Sequence, residues 1–483
     1  MVFVNKNLCL AAVVSLLVGV TWLPQAEASR ILDVQNFGAV GDGKTDNQAV
    51  LENVFALANR SPQTIVLFPP GSYLHSGRLS AGREIVVEGS QASLIGTNAS
   101  AQSLSIVGDG TTVIGLTFQG QPGGDPAITF SNRTQTVIQQ NIFLGFTDGI
   151  DCSNSQLVHI ENNQFSPGSN GVGIAIESGS TIRISGNSFS GFQSPTSQTG
   201  VLCSANDIRI DKENTFNFLT VGVNATNSKS MVIDKNTFGN CQTVISSSGA
   251  SNMTVSNNGC TSGNTFFDGL NVGTKALSVN NNTVSIFSAG FKNFNHNTNP
   301  EIDFNTFRSL GNVLTSASNT SLVLRANNLF SCGQGFNSQL DKKVTIDTNI
   351  FQTCVTPINL DIEKTVFVTG NAITTGDGIK VSNSTDVFVT TNRLTNIQNQ
   401  GVLSTHNIGS VVIHKNVLNN CGLNPSINPP AVIYADGGVD LQIVKNTYTG
   451  NTQNLLYFID TPVLGATVIG NTTNTMLPNK IGP

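Results

Sequence analysis

An asparagine recurs along this chain at a nearly constant interval, each time after a short apolar alternation and two places before another apolar residue. The clearest copy is Val158-His159-Ile160-Glu161-Asn162-Asn163-Gln164-Phe165. The pattern closes on Asn141, Asn163, Asn187, Asn214, Asn236, Asn264, Asn282, Asn305, Asn328, Asn349, Asn371, Asn392, Asn416, Asn446 and Asn471. The usual interval is about 22 residues, a period that belongs to stacked solenoids. Each repeat holds short period-two strands and no helical periodicity, so the chain is predicted to wind as a parallel β-solenoid. The longer intervals, Asn236 to Asn264 and Asn416 to Asn446, read as loop insertions. The asparagine is expected to take a left-handed turn position while its amide bridges coils. The apolar residue after it, often phenylalanine, should stack inside.

The chain has 483 residues and opens with Lys6, an apolar run from Leu8 to Val20, and Ala26-Glu27-Ala28. This reads as a secretory signal peptide over 1–28, so the product is expected to be secreted or periplasmic. The expected divisions after it are an N-terminal cap with the first coils at 29–103 and the helix proper at 104–483. No segment is long and apolar enough for a membrane span. Charged residues make up 11 % and the net charge is −5, with no basic patch, which excludes nucleic acid as a partner. Besides Cys9 in the leader, seven cysteines stand at scattered spacings. Buried thiols are the favoured state, with a Cys332–Cys354 bridge between adjacent coils as the alternative. Nothing calls for a cofactor; a bound metal and the oligomeric state stay open.

Ahead of the coils, Thr45 and Gln48 have capping-box spacing, and Ala49, Val50, Val54, Leu57 and Ala58 form an apolar stripe on a helix to about Asn59. Such a helix would cover the open end of the solenoid. The run Asn36-Phe37-Gly38-Ala39-Val40-Gly41-Asp42-Gly43-Lys44-Thr45-Asp46, followed by Val66-Leu67-Phe68-Pro69-Pro70-Gly71-Ser72-Tyr73, resembles the N-terminal signature of the pectate-lyase superfamily. The resemblance implies an all-β fold: a single-stranded right-handed parallel β-helix, three strands per coil, with a short N-terminal capping helix. It also implies a polysaccharide partner. It does not fix a reaction, because hydrolases, lyases, epimerases, tailspikes and adhesins share the architecture.

In enzymes of that superfamily the active groove runs along the outward face of the first strand of each coil. In Gly149-Ile150-Asp151-Cys152-Ser153, alternation sends Ile150 and Cys152 inward and Asp151 and Ser153 outward. Counting back from the asparagines in the same way puts Ile245, Asn271, Lys292 and Leu314 outward in the middle coils. Two charged patches interrupt an otherwise neutral face. The first is Asp148 and Asp151, with Glu177 one coil on. Thr147-Asp148-Gly149 is similar to part of the Asn-Thr-Asp-Gly motif of polygalacturonases, with Phe146 in place of the asparagine. That family's later motifs are missing, since Gly171-Val172-Gly173 and Gln198-Thr199-Gly200 stand where its Asp pair and its histidine belong. The remaining match, Ile379-Lys380, lies roughly 48 Å away. The backbones of Asp151 and Glu177 are about 8 Å apart by strand geometry, within the range of inverting glycosidases.

The second patch is Asp361, Asp377, Lys380, His406, Tyr434 and Asp436. A lysine there would neutralise a uronate carboxylate, and a tyrosine or histidine would move its α-proton. The expectation is therefore hydrolysis of a glycan, uronates included, by Asp148, Asp151 and Glu177. The alternatives are a non-catalytic surface or adhesion β-helix, for which the neutral face suffices, and a polyuronate lyase or epimerase built on the second patch.

Overall fold

The computed structural model describes residues 30–98, 103–121, 124–192, 197–269, 274–424, 426, 431–450, 457–458 and 466–473. The expected leader at 1–28 and the prolines of the Asn416–Asn446 interval, Pro425, Pro429 and Pro430, lie outside them. The chain winds through about 16 right-handed turns. Each strand pairs in parallel with its counterpart one coil later, as in Asp148–Ser153 with Val172–Ile176, Ser155–Glu161 with Gly179–Ser185, and Gln164–Ser166 with Ser188–Ser190. Three sheets therefore run the length of the rod and enclose one apolar core.

One α-helix, Gln48–Ala58, packs at the N-terminal end and buries Leu51, Val54, Phe55 and Ala58, with Phe55 against Phe68 at 6.4 Å. The capping box does not form. Asp42 accepts the Thr45 amide and hydroxyl at 2.8 and 2.9 Å, which keeps Thr45 in the glycine turn. The N-cap is Asn47, whose amide group is spent on Val40, accepting at 2.7 Å and donating at 3.1 Å. Two signature glycines touch here: a Cβ on Gly41 would lie 3.0 Å from the Cα of Gly71.

The asparagine ladder is continuous. Asn163 Nδ2 donates to Asn187 Oδ1 at 3.0 Å and to Ile138 O at 2.8 Å, and its backbone N–H donates to the same Oδ1 at 2.9 Å. Along the ladder the buried amides are thus paired, where an orphaned one would cost about 1–3 kcal/mol. Three expectations change. First, the rungs in the middle coils are Asn258 and Asn327, not Asn264 and Asn328. The inward residues after them are Cys260 and Leu329, so the phenylalanines that attracted the pattern, Phe266 and Phe330, belong to other positions. Second, no insertion separates Asn236 from the next rung, which follows after 22 residues. Third, the left-handed residue is the one before the rung, as at Gln140, Asn162, Lys235 and Asn281, with φ between 54° and 57°. That turn frees the rung's own amide to face along the rod.

Inside, Phe118, Phe143, Phe165, Phe189, Phe216 and Phe238 stack with ring centroids 4.6 to 5.2 Å apart. The seven cysteines are buried free thiols, and no bridge joins Cys332 to Cys354. Burial pushes Cys152, Cys241 and Cys421 up to about 12, so they stay protonated packing groups.

Candidate active site on the first sheet

Asp148 and Asp151 share the strand Asp148–Ser153, and Glu177 follows the neighbouring strand Val172–Ile176. Register sets Asp148 beside Val172 and Asp151 beside Ala175, and the Glu177 N–H donates to Cys152 O at 3.0 Å. Strict alternation would send Asp148 and Asp151 to opposite faces. Gly149 prevents it. A Cβ there would sit 2.8 Å from the Phe165 ring, so this position faces inward as Ile150 does. Two successive inward positions bring the flanking aspartates out together, and both are part-exposed beside buried Gly149 and Ile150. The acid pair and the phenylalanine stack depend on the same glycine.

Electrostatics follows from this crowding. Burial, then the charges of Asp151 and Glu177, push Asp148 up to about 6. Burial and the Glu177 charge also raise Asp151. The adjoining outward positions are Thr129, Ala175, Leu202 and Asn224, so no cation stands there to relieve the repulsion. Two neighbouring carboxyl groups raised to different extents are the arrangement that acid–base hydrolysis uses. Val172 and Thr199 occupy Asp148's column on the next two coils, so nothing charged replaces the missing polygalacturonase residues.

The second patch is built differently. Lys380, Leu403 and Tyr434 do line up on successive coils. Burial alone would raise Asp361, but Asn383, Ser382 and Gln339 donate to it at 2.7, 2.8 and 3.2 Å. With the Lys380 charge they hold it below the usual carboxylate range. Asp377 accepts from Asn399 at 2.6 Å and Thr356 at 3.1 Å. Asp436 accepts the His406 backbone N–H at 2.5 Å and the Tyr434 hydroxyl at 3.2 Å. His406 itself sits in a left-handed turn, φ 55°.

Two features differ from the sequence expectation because the rungs are Asn258 and Asn327. Ile245 and Leu314 point inward, in line with Ile150, Phe267 and Phe291. The outward residues of these coils are Ser246, Asp268 and Lys292, with Asp268 directly beside Lys292. Asn271 lies outside the described residues. Thirteen places before Asn258 and Asn327 stand Ile245 and Leu314, so counting from the true rungs finds both inward residues; Asp268 lies outside that count because its coil is two residues longer. Among the described residues no group of three His, Cys, Asp or Glu is arranged to hold a metal ion, and no helix is long and apolar enough to cross a membrane.

A parallel β-helix carrying carboxylates on the outward face of its first sheet defines the class. The chain belongs to the pectate lyase-like family described as rhamnogalacturonase A/epimerase, which matches residues 31–299; a right-handed β-helix region matches 312–473. No curated protein matches it. Among solved structures, a tailspike protein mutant of E. coli bacteriophage HK620 in complex with hexasaccharide is 10% identical, with a TM-score of 0.51 over 78% of each chain. PfbA, a surface adhesin of Streptococcus pneumoniae, is 14% identical, with a TM-score of 0.45 over 77% of this chain and 91% of that one. A family 28 exopolygalacturonase of Yersinia enterocolitica is 12% identical, with a TM-score of 0.32 over 92% of this chain and 78% of that one. At these identities the likeness shows the fold alone.

Proposed function

We propose that the protein hydrolyses a glycan at the Asp148/Asp151/Glu177 cluster. The observation that carries this is Asp148 held protonated to about pH 6 on the same face as Asp151 and Glu177. Asp148 donates its proton to the departing glycosidic oxygen. Asp151, assisted by Glu177, takes a proton from the attacking water. Three residues of extended strand separate Asp148 from Asp151 by about 10 Å, shortened by the bend at Gly149 and near the spacing of inverting enzymes. The sugar bound across the cluster is neutral, because a uronate carboxylate would meet three acids and no adjoining cation.

The test is incubation of the protein with neutral glycans and polyuronides, scoring reducing ends, unsaturated products and the anomer released. Reducing ends with inverted anomer, lost in Asp148→Asn, support the reading. Unsaturated products would instead favour the Lys380/Tyr434 patch. Binding without cleavage would favour a non-catalytic surface protein, which the otherwise neutral face of the first sheet also suits.

A further inference from the structure

In three successive coils the third strand continues through the corner residue into the first, giving the long strands Thr237–Ser248, Gly259–Asp268 and Thr283–Asn295. An open cleft of about 620 Å³ lies along this corner of the rod. It continues through the shared residues Asn264 and Ser288 into a second cleft of about 490 Å³ that reaches Lys292 on the first sheet. Asn240, Gln242, Asn264, Ser288 and Ser309 offer amides and hydroxyls to the larger cleft, and none of its lining residues is charged.

Ile286, also in its lining, is 63% exposed and adopts a left-handed backbone with φ 62°. The matching corner residues on the coils around it are Asn240, Ser262 and Ser309. A β-branched residue is disfavoured in that conformation, and an exposed aliphatic side chain gains nothing from the fold. Asn264, which sequence spacing had placed in the ladder, is exposed here instead.

We propose that this trough binds a neutral segment of the polysaccharide, with Ile286 under the C–H face of a sugar ring and Asn264 hydrogen-bonding its hydroxyls. The proposal rests on reading the first sheet as a glycan track. Amides and hydroxyls without charge suit an uncharged polyol, and Lys292 has Asp268 beside it. From Asp151 the outward column passes Ala175, Leu202, Asn224, Ser246 and Asp268 to Lys292, so the trough begins four coils on. With Ser309 and Gly311 on the coil after Lys292, the trough extends over about 19–34 Å from Asp151. A pyranose unit advances a chain by about one coil, so only longer oligosaccharides engage both places.

The experiment prints neutral and uronate oligosaccharides of two to eight sugars as an array and probes it with the full chain and three variants. Asparagine tolerates the left-handed turn, so Ile286→Asn keeps or improves the fold. Wild type is expected to bind neutral chains of six or more sugars. Ile286→Asn and Asn264→Ala should each weaken this at least fivefold, while Asp148→Asn leaves it intact. Neutral binding that survives both trough substitutions, binding of uronates alone, or no binding overturns the proposal. Hydrolysis is scored separately on short substrates: its loss in Asp148→Asn alone tests the active site, whatever the trough does.

Discussion

Carboxylates on the first sheet behave in opposite ways at the two ends of the rod. Near the N-terminal end, Asp148, Asp151 and Glu177 crowd one another, and their repulsion together with burial holds a proton on Asp148 to about pH 6. Towards the C-terminal end, Asp361, Asp377 and Asp436 each accept bonds from side-chain or backbone amides on adjacent coils. The residue type is the same and so is the scaffold. The supply of donors decides whether an acid's pKa is raised or lowered, and a count of charges along a face does not reveal it.

The sharpest way to break this contrast is Asp148→Asn, expected to lower glycan hydrolysis about 10²–10⁴-fold with unchanged circular dichroism. Wild-type activity should fall as pH rises through about 6, where Asp148 loses its proton. Glu177→Gln removes a negative neighbour, lowers the Asp148 pKa and moves that limb to lower pH in a pH–rate profile.

A second pair of acids sharpens the comparison from the inside. At the turn between the first and second sheets, Asn297 donates to Asn319 and Asn319 to Asp341, and the Ser338 hydroxyl donates to Asp341 while also touching Glu363. Burial and the Asp341 charge push Glu363 up to about 8, so the protonated Glu363 donates to the Ser338 oxygen, and its Oε2 has no partner. Because the folded pKa is raised, stability is full below the unfolded value near 4.5 and declines as pH rises towards about 8. Glu363→Gln should therefore add about 2–4 kcal/mol at pH 8.5 and nothing at pH 4, read from denaturant melts at both.

Substituting two nearby asparagines checks the register itself. Asn258→Ala orphans ladder amides and should cost about 1–3 kcal/mol, whereas Asn264→Ala should shift the melting temperature hardly at all. The smallest effect is expected at Asp361→Asn. Its lowered pKa gives stability that is present above the unfolded value and lost as pH falls through the folded one. The site is largely exposed, so at pH 7 the loss should stay below about 0.5 kcal/mol, with hydrolysis unchanged.

Much of this was legible in residue order. Period, alternation and the glycine–proline signature are local, and they specify a parallel β-helix, its N-terminal helix and the face that carries Asp151 and Glu177. The register of the middle coils was not, because an Asn followed by an inward Cys260 is a weaker signal than Asn264 followed by Phe266. In a period-two strand a slip of one residue exchanges inside for outside, which is how Ile245 and Leu314 were misplaced. Asp268 was missed because its coil is two residues longer.

The sequence by itself determined the architecture, since stacked coils follow from short-range patterns repeated at one interval. Tertiary structure alone decided three things. It brought Asp148 out beside Asp151 by pressing Gly149 against Phe165, saturated one group of acids with donors while leaving the other repelling itself, and opened the corner beneath Ile286. Each depends on what the coils above and below present at a given point. That neighbour lies some 22 residues away in sequence and only about 4.8 Å away in space.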